Sequence, residues 1–205
     1  TLLENTLRHK REPMTRIDRK KLLSEIGWSL AILILVYCYL TAYRDFRDNF
    51  AADMWLELGF ADSSRIFTLT EVPVALIVLT ALGFLYKIKN NQNAIVANYV
   101  LIASGSALIW SGSIAMQHAF ITPVMWSIIT GMGVYLAYVP FGSMLFERIV
   151  ALLQFRSNAG FLIYIADSIG YLGSIIILVL KNFMADKISA SIFLIQFGVT
   201  IGILP

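Results

Sequence analysis

The side chains best suited to chemistry are four charged residues at the end of the first long apolar segment: Arg44, Asp45, Arg47 and Asp48. A helix from Trp28 to Phe50 is about 34 Å long, roughly one bilayer, so these charges lie in its outer part or at its rim. At about 100° per residue, one stripe of this helix holds Tyr37, Thr41, Arg44 and Asp48. Ionisable groups at membrane depth are rare and usually functional. We therefore expect Tyr37, Arg44, Arg47 and Asp48 to bind a solute or form a gate.

Two further carboxylates, Glu71 and Asp167, interrupt later apolar segments. A carboxylate that faces lipid costs several kcal/mol or takes up a proton, so both should face the interior, a partner or a water-filled cavity. They are candidates for proton coupling. At helical spacing from Asp167, Tyr164 and Tyr171 would offer hydroxyl groups or ring faces to a solute.

The sequence therefore predicts that the arginines, Glu71 and Asp167 converge on one polar cavity. The alternative is that they form structural ion pairs that hold the helices together.

The composition indicates a membrane protein. Hydrophobic residues make up 58% and charged residues 14% of the 205 residues, and the mean hydropathy is +0.74. Soluble domains carry about 25% charged residues. Long continuous apolar segments without alternation favour helices over a β-barrel. We predict an all-α polytopic membrane protein with a basic leader, residues 1–25, and a bundle over 26–205 made of six transmembrane helices: 26–50, 65–86, 94–116, 122–146, 160–180 and 188–205, the last incomplete.

The basic residues predict the orientation. Seven of the sixteen Lys and Arg residues lie between Arg8 and Lys21, and eleven lie in the leader and in the segments after spans 2 and 4. Cytoplasmic segments carry the excess of positive charge, so the N-terminus of this chain should be cytoplasmic. This distribution is typical of a membrane protein and gives no reason to expect a nucleic-acid partner. We also expect the chain to be part of a longer protein.

Motifs for catalysis or cofactors are missing from the sequence. It contains no HExxH, CxxC, GxSxG or Walker A pattern, and no His/Cys cluster. We therefore expect no cofactor, no metal and no enzymatic activity. Small residues on span 3 favour close helix packing over a ligand site: Ser104, Gly105, Ser106, Ser111, Gly112 and Ser113.

Six spans behind a basic leader resemble the C-terminal half of a major facilitator superfamily transporter. The segment from Tyr43 to Ala51 resembles a motif in a bacterial, Bacteroidetes-type branch of that superfamily whose members are uncharacterised. Residues 47–50 are similar to the Arg-Lys-Asn-Phe that faces substrate in organophosphate:phosphate antiporters, with Asp48 in place of the lysine.

This resemblance implies a multi-pass permease of the bacterial inner membrane that works by alternating access. Spans 1, 2, 4 and 5 would border a central cavity, and spans 3 and 6 would lie outside it. The implied partners are the lipid bilayer, a small solute and a preceding six-helix half of the same chain, with residues 1–25 as the linker between the halves.

Together, the residues and the resemblance predict a secondary active transporter for a small solute, with arginines suited to an anionic group and carboxylates suited to proton coupling. The rival interpretation is a non-transporting membrane scaffold or sensor with structural ion pairs, whose basic leader docks a partner.

Overall fold

The computed structural model describes residues 14–60, 63–153, 157–183 and 189–201, and the regular structure in these ranges is helical. The elements in chain order are α1 (Arg16–Asn49), α2 (Ala51–Glu57), α3 (Ser63–Tyr86), α4 (Asn91–Gln117), α5 (Pro123–Pro140), a π-helix (Phe141–Leu145), α6 (Phe146–Leu152), α7 (Ala159–Phe183) and α8 (Ala190–Ile201).

Five helical stretches are long and apolar enough to cross a membrane: Arg16–Asn49, Arg65–Tyr86, Asn91–Gln117, Pro123–Leu152 and Ala159–Phe183. The fourth of them consists of α5, the π-helix and α6. This confirms the all-helical class expected of a polytopic membrane protein. The sixth predicted span corresponds to α8, which has 12 residues in the described range. The rest of that span, 188 and 202–205, lies outside the described residues.

The first helix begins ten residues earlier than the predicted span. Thr15 caps its N-terminus in a capping box with Asp18, in which each side chain accepts a hydrogen bond from the other residue's backbone N–H. Residues 16–25 of the basic leader are therefore helical and continuous with span 1, whereas residues 1–13 lie outside the described residues. The predicted loop after span 1 contains the short helix α2.

Glycines set the distances between the main helix pairs. A Cβ atom on Gly133 of α5 would lie 2.6 Å from the carbonyl oxygen of Gly105 on α4, so these two backbones touch. On α7, a Cβ atom at Gly173 would meet the sulfur of Cys38 on α1 at 2.3 Å. The packing role predicted for the small residues of span 3 is confirmed at Gly105.

Aromatic rings fasten α8 to α1. The rings of Phe193 and Phe46 stack with their centroids 4.6 Å apart, and Phe197 lies 5.6 Å from Tyr43. Phe46 and Tyr43 are fully buried. Because α8 covers this apolar side of α1, the polar stripe of α1 faces α3, α5 and α7.

Polar contacts fix both ends of the bundle. At one end, the Glu57 carboxylate accepts the backbone N–H groups of Ala190 and Ser191, at 2.8 and 2.9 Å, and so caps α8. Partial burial opposes ionisation of Glu57, but these hydrogen bonds outweigh it and hold the pKa of Glu57 below its ordinary value. At the other end, Arg148 donates hydrogen bonds to the Ile88 carbonyl and to the Asn91 side chain.

Candidate functional site

The polar side chains of α1 meet those of α3, α5 and α7 in two networks. The Arg47 network consists of Arg47, Asp48, Glu71, Ser127 and Tyr135. The Tyr138 network consists of Tyr37, Arg44, Asp45, Tyr138, Asp167 and Ser174. Both begin on α1 and both use α5.

Arg47 is the most buried charge at the site, with 3% of its side chain exposed. Its Nη2 donates to the Glu71 carboxylate of α3 and lies 3.3 Å from the Ser127 hydroxyl and 3.4 Å from the Ser127 carbonyl of α5. Its Nη1 lies 3.6 Å from the Asp48 carboxylate. Because Asp48 and Glu71 are 40% and 20% exposed, this buried cation is paired with carboxylates that reach toward the surface.

The Arg47 guanidinium reaches Glu71 by crossing α5 at Gly131. A Cβ atom on Gly131 would lie 2.8 Å from Nη2 of Arg47 and 3.2 Å from Val74 of α3. Since α3 packs mainly on α5, the ion pair links α1 to a helix that it otherwise barely touches. Gly131 is therefore the position that makes this link possible.

In the Tyr138 network, a carboxylate and two phenols form a hydrogen-bonded series. The Tyr37 hydroxyl of α1 donates to the Asp167 carboxylate of α7 at 2.5 Å and lies 3.0 Å from the Tyr138 hydroxyl of α5. The two phenol rings are stacked, with centroids 5.1 Å apart. A Cβ atom at Gly170, one helical turn after Asp167, would approach the Tyr37 ring at 3.1 Å, so this glycine lets the ring reach α7.

Arg44 joins the same network from the other side of Tyr138. Its guanidinium carbon lies 4.2 Å from the centre of the Tyr138 ring, within the range of a cation–π contact. Its Nε donates to the Asp45 carboxylate at 2.9 Å, and Asp45 accepts a 2.6 Å hydrogen bond from Ser174 of α7. Arg44 is thus attached to α5 through a ring and to α7 through Asp45.

The structure brings six of the eight predicted site residues into these networks: Tyr37, Arg44, Arg47, Asp48, Glu71 and Asp167. It divides them between two networks, and each arginine already contacts a carboxylate. Tyr164 and Tyr171 lie elsewhere, with 75% and 53% of their surfaces exposed.

Ser127, Tyr135 and Tyr138 of α5 were not predicted as site residues. Together with Gly131 they follow the four- and three-residue spacing of one helix face, and this pattern is visible in the sequence.

Within the described part of the chain, no three His, Cys, Asp or Glu side chains lie close enough together to hold a metal ion. The networks can hold, exchange or release charge, because each contains an arginine, two carboxylates and at least one tyrosine hydroxyl, supplied by more than one helix. Such groups can pair with a charged solute, pass a proton or bind helices to one another.

Comparison with known proteins places the chain in a family. No curated protein and no solved structure matches it. All of residues 1–205 match the family of unknown function DUF5690, and the chain therefore belongs to that family.

Proposed function

We propose that this chain forms a six-helix half of a secondary transporter that moves a small solute by alternating access. The single observation that carries the proposal is the gathering of Arg44, Arg47, Glu71 and Asp167 from three apolar helices onto one side of α1. Charges that are this costly in a membrane are placed together where water or a solute must meet them.

The distribution of charge among the helices supports the same proposal. α4, α5 and α8 contain no charged residue, whereas α1, α3 and α7 supply the carboxylates and arginines of the two networks; α5 differs from α4 and α8 in contributing polar side chains to both networks. In a half-bundle of the major facilitator type, the third and sixth transmembrane helices lie outside the cavity; here these are α4 and α8.

We further propose that the protein lies in the bacterial inner membrane with the N-terminus of this chain in the cytoplasm. Arg148 contacts the segment after α3, and the Arg19 guanidinium lies 5.2 Å from the Phe161 ring near the start of α7. These contacts support placing the three basic segments on one side, as the positive-inside rule requires.

Cysteine labelling tests the proposal. In protein whose Cys38 is replaced by Ala, single cysteines at positions 71 and 167 should react with a membrane-impermeant maleimide in at least one condition, from one side or the other. A cysteine at position 172 on α7 is the matched control, because Leu172 is exposed on an apolar surface and would face lipid. Failure of both site positions to react from either side, at any pH and with any solute tested, would exclude a hydrated pathway.

The second candidate is a non-transporting scaffold or sensor, and the pairing of each arginine with a carboxylate favours it. Uptake of labelled solutes into liposomes that contain the protein distinguishes the two, whether or not net charge moves. A transporter takes up some small ion or solute and loses this uptake in Arg47→Gln, whereas a scaffold takes up none and tolerates joint neutralisation of Arg47 and Glu71.

A further inference from the structure

The series Asp167, Tyr37, Tyr138 joins three helices through oxygen atoms that can each carry one proton. The distances are 2.5 Å between the carboxylate and the first hydroxyl and 3.0 Å between the two hydroxyls. Tyr37 is buried, and Asp167 and Tyr138 are half-buried between the helices, so the hydrogen bonds within the series are partly shielded from water.

The direction in which the hydrogen bonds of this series are donated depends on whether Asp167 carries a proton. An ionised carboxylate only accepts, so Tyr37 donates to it and the proton between the two phenols comes from Tyr138. When Asp167 takes up a proton, it becomes a donor to Tyr37, Tyr37 donates to Tyr138, and the Tyr138 proton turns outward. Each hydroxyl keeps one proton, and the only proton gained is the one on Asp167.

The other end of the series meets a cation. The charged groups that contact this network are Arg44 and Asp45 of α1. α6 also packs on α7 and carries Glu147 and Arg148, and Arg148 is hydrogen-bonded to the segment after α3. The Arg44 guanidinium lies over the Tyr138 ring. Protonation removes one negative charge from this region and turns the positive end of the Tyr138 O–H dipole away from Tyr37, so the contact of Arg44 with α5 weakens.

We propose that Tyr37 and Tyr138 relay the protonation of Asp167 on α7 to Arg44 on α1. Tyr37 is then a positioning residue for the proton site, and Tyr138 is the point where the proton signal reaches the arginine. This inference rests on the proposed transport function and specifies how proton uptake would act on an arginine of the same site.

Infrared difference spectroscopy of the purified protein across a pH titration, without any solute, tests the relay. The C=O band of protonated Asp167 is assigned by its loss in Asp167→Asn, and the phenol C–O band of Tyr138 by its loss in Tyr138→Phe. In the wild type, both bands should change over the same pH range. In Tyr37→Phe, the Asp167 band should still change, while the change in the Tyr138 band is lost.

The variants are chosen to keep the packing. Phenylalanine at position 37 retains the ring that stacks on Tyr138 and contacts Phe141, so the bundle should fold. Tyr99→Phe on α4 is the matched control, because this tyrosine is partly exposed and lies outside both networks, and the variant should leave both bands changing together.

Three outcomes overturn the relay: an Asp167 band that never appears across the titration, a wild-type Tyr138 band that does not change over the pH range of the Asp167 band, or a Tyr138 band that still changes with pH in Tyr37→Phe. None of them depends on transport. An intact relay in a protein that moves no solute contradicts only the proposed function, and transport with uncoupled bands contradicts only the relay.

Discussion

Replacing Glu71 by Gln removes the carboxylate that meets Arg47 across α5 and leaves a cation with 3% of its side chain exposed. Breaking a buried ion pair from one side costs about 3–5 kcal/mol. We expect about 3 kcal/mol, the low end of that range, because Glu71 is 20% exposed and Asp48 remains 3.6 Å from Nη1 of Arg47. For a chain of this size that loss lowers the melting temperature by about 6–12 °C.

The companion variant replaces both Arg47 and Glu71 by Met, which removes the charges and keeps apolar volume. Its stability should return to within about 1 kcal/mol of the wild type, since no uncompensated charge stays buried. Asp53→Asn on the exposed side of α2 is the control and should change stability by less than about 0.5 kcal/mol.

Thermal unfolding in detergent, followed by the loss of the helical circular-dichroism signal, measures these differences. The reasoning about Arg47 is refuted if Glu71→Gln melts within about 2 °C of the wild type, or if the double variant loses as much stability as the two single variants together.

Three further predictions concern other parts of the bundle. Glu57→Gln should cost about 1 kcal/mol or less at neutral pH, because it weakens the cap of α8. Because the pKa of Glu57 is depressed in the folded protein, this stability is present above the ordinary pKa of a glutamate, and the difference between variant and wild type should disappear as the pH falls through the lower pKa of the folded state. Gly133→Ala should destabilise by about 1–3 kcal/mol through contact with the α4 backbone, whereas Gly142→Ala, whose Cβ atom meets nothing within 4 Å, should be nearly neutral; equal melting temperatures would contradict this packing. Tyr164→Ala should leave the free energy of unfolding unchanged within about 0.5 kcal/mol, and a larger loss would show that its exposed side chain packs on a neighbour.

The helices were predictable because their signals are local. Length and hydropathy of each apolar segment set the five long helices, and the 100° rotation per residue placed Tyr37, Arg44 and Asp48 on one side of α1. The start of α1 at Arg16 was missed, although the capping box between Thr15 and Asp18 is visible in the sequence.

The partners of these side chains were not predictable, because they depend on where neighbouring helices lie. Arg44 and Arg47 differ by about 60° around α1, enough for one to reach α7 through Asp45 and the other to reach α3. On α7, Asp167 lies between two flanks, with Gly170 and Ser174 on one and both tyrosines on the other. The side with the glycine approaches α1 because it has no Cβ there, and so Tyr164 and Tyr171 face outward.

The π-helix at Phe141–Leu145 follows Pro140 directly, at the junction between the tyrosines of α5 and the arginine of α6 that contacts the segment after α3. A π turn holds about one residue more than an α turn of similar rise. Shortening the chain by one residue at Gly142 or Ser143 would therefore let the helix continue as an ordinary α-helix, with Tyr138 and Arg148 both kept in their present directions. The same deletion two turns earlier would rotate everything beyond it by about 100°. Among the described helices, this junction is thus a place where the chain can lose a residue without changing the orientation of either end.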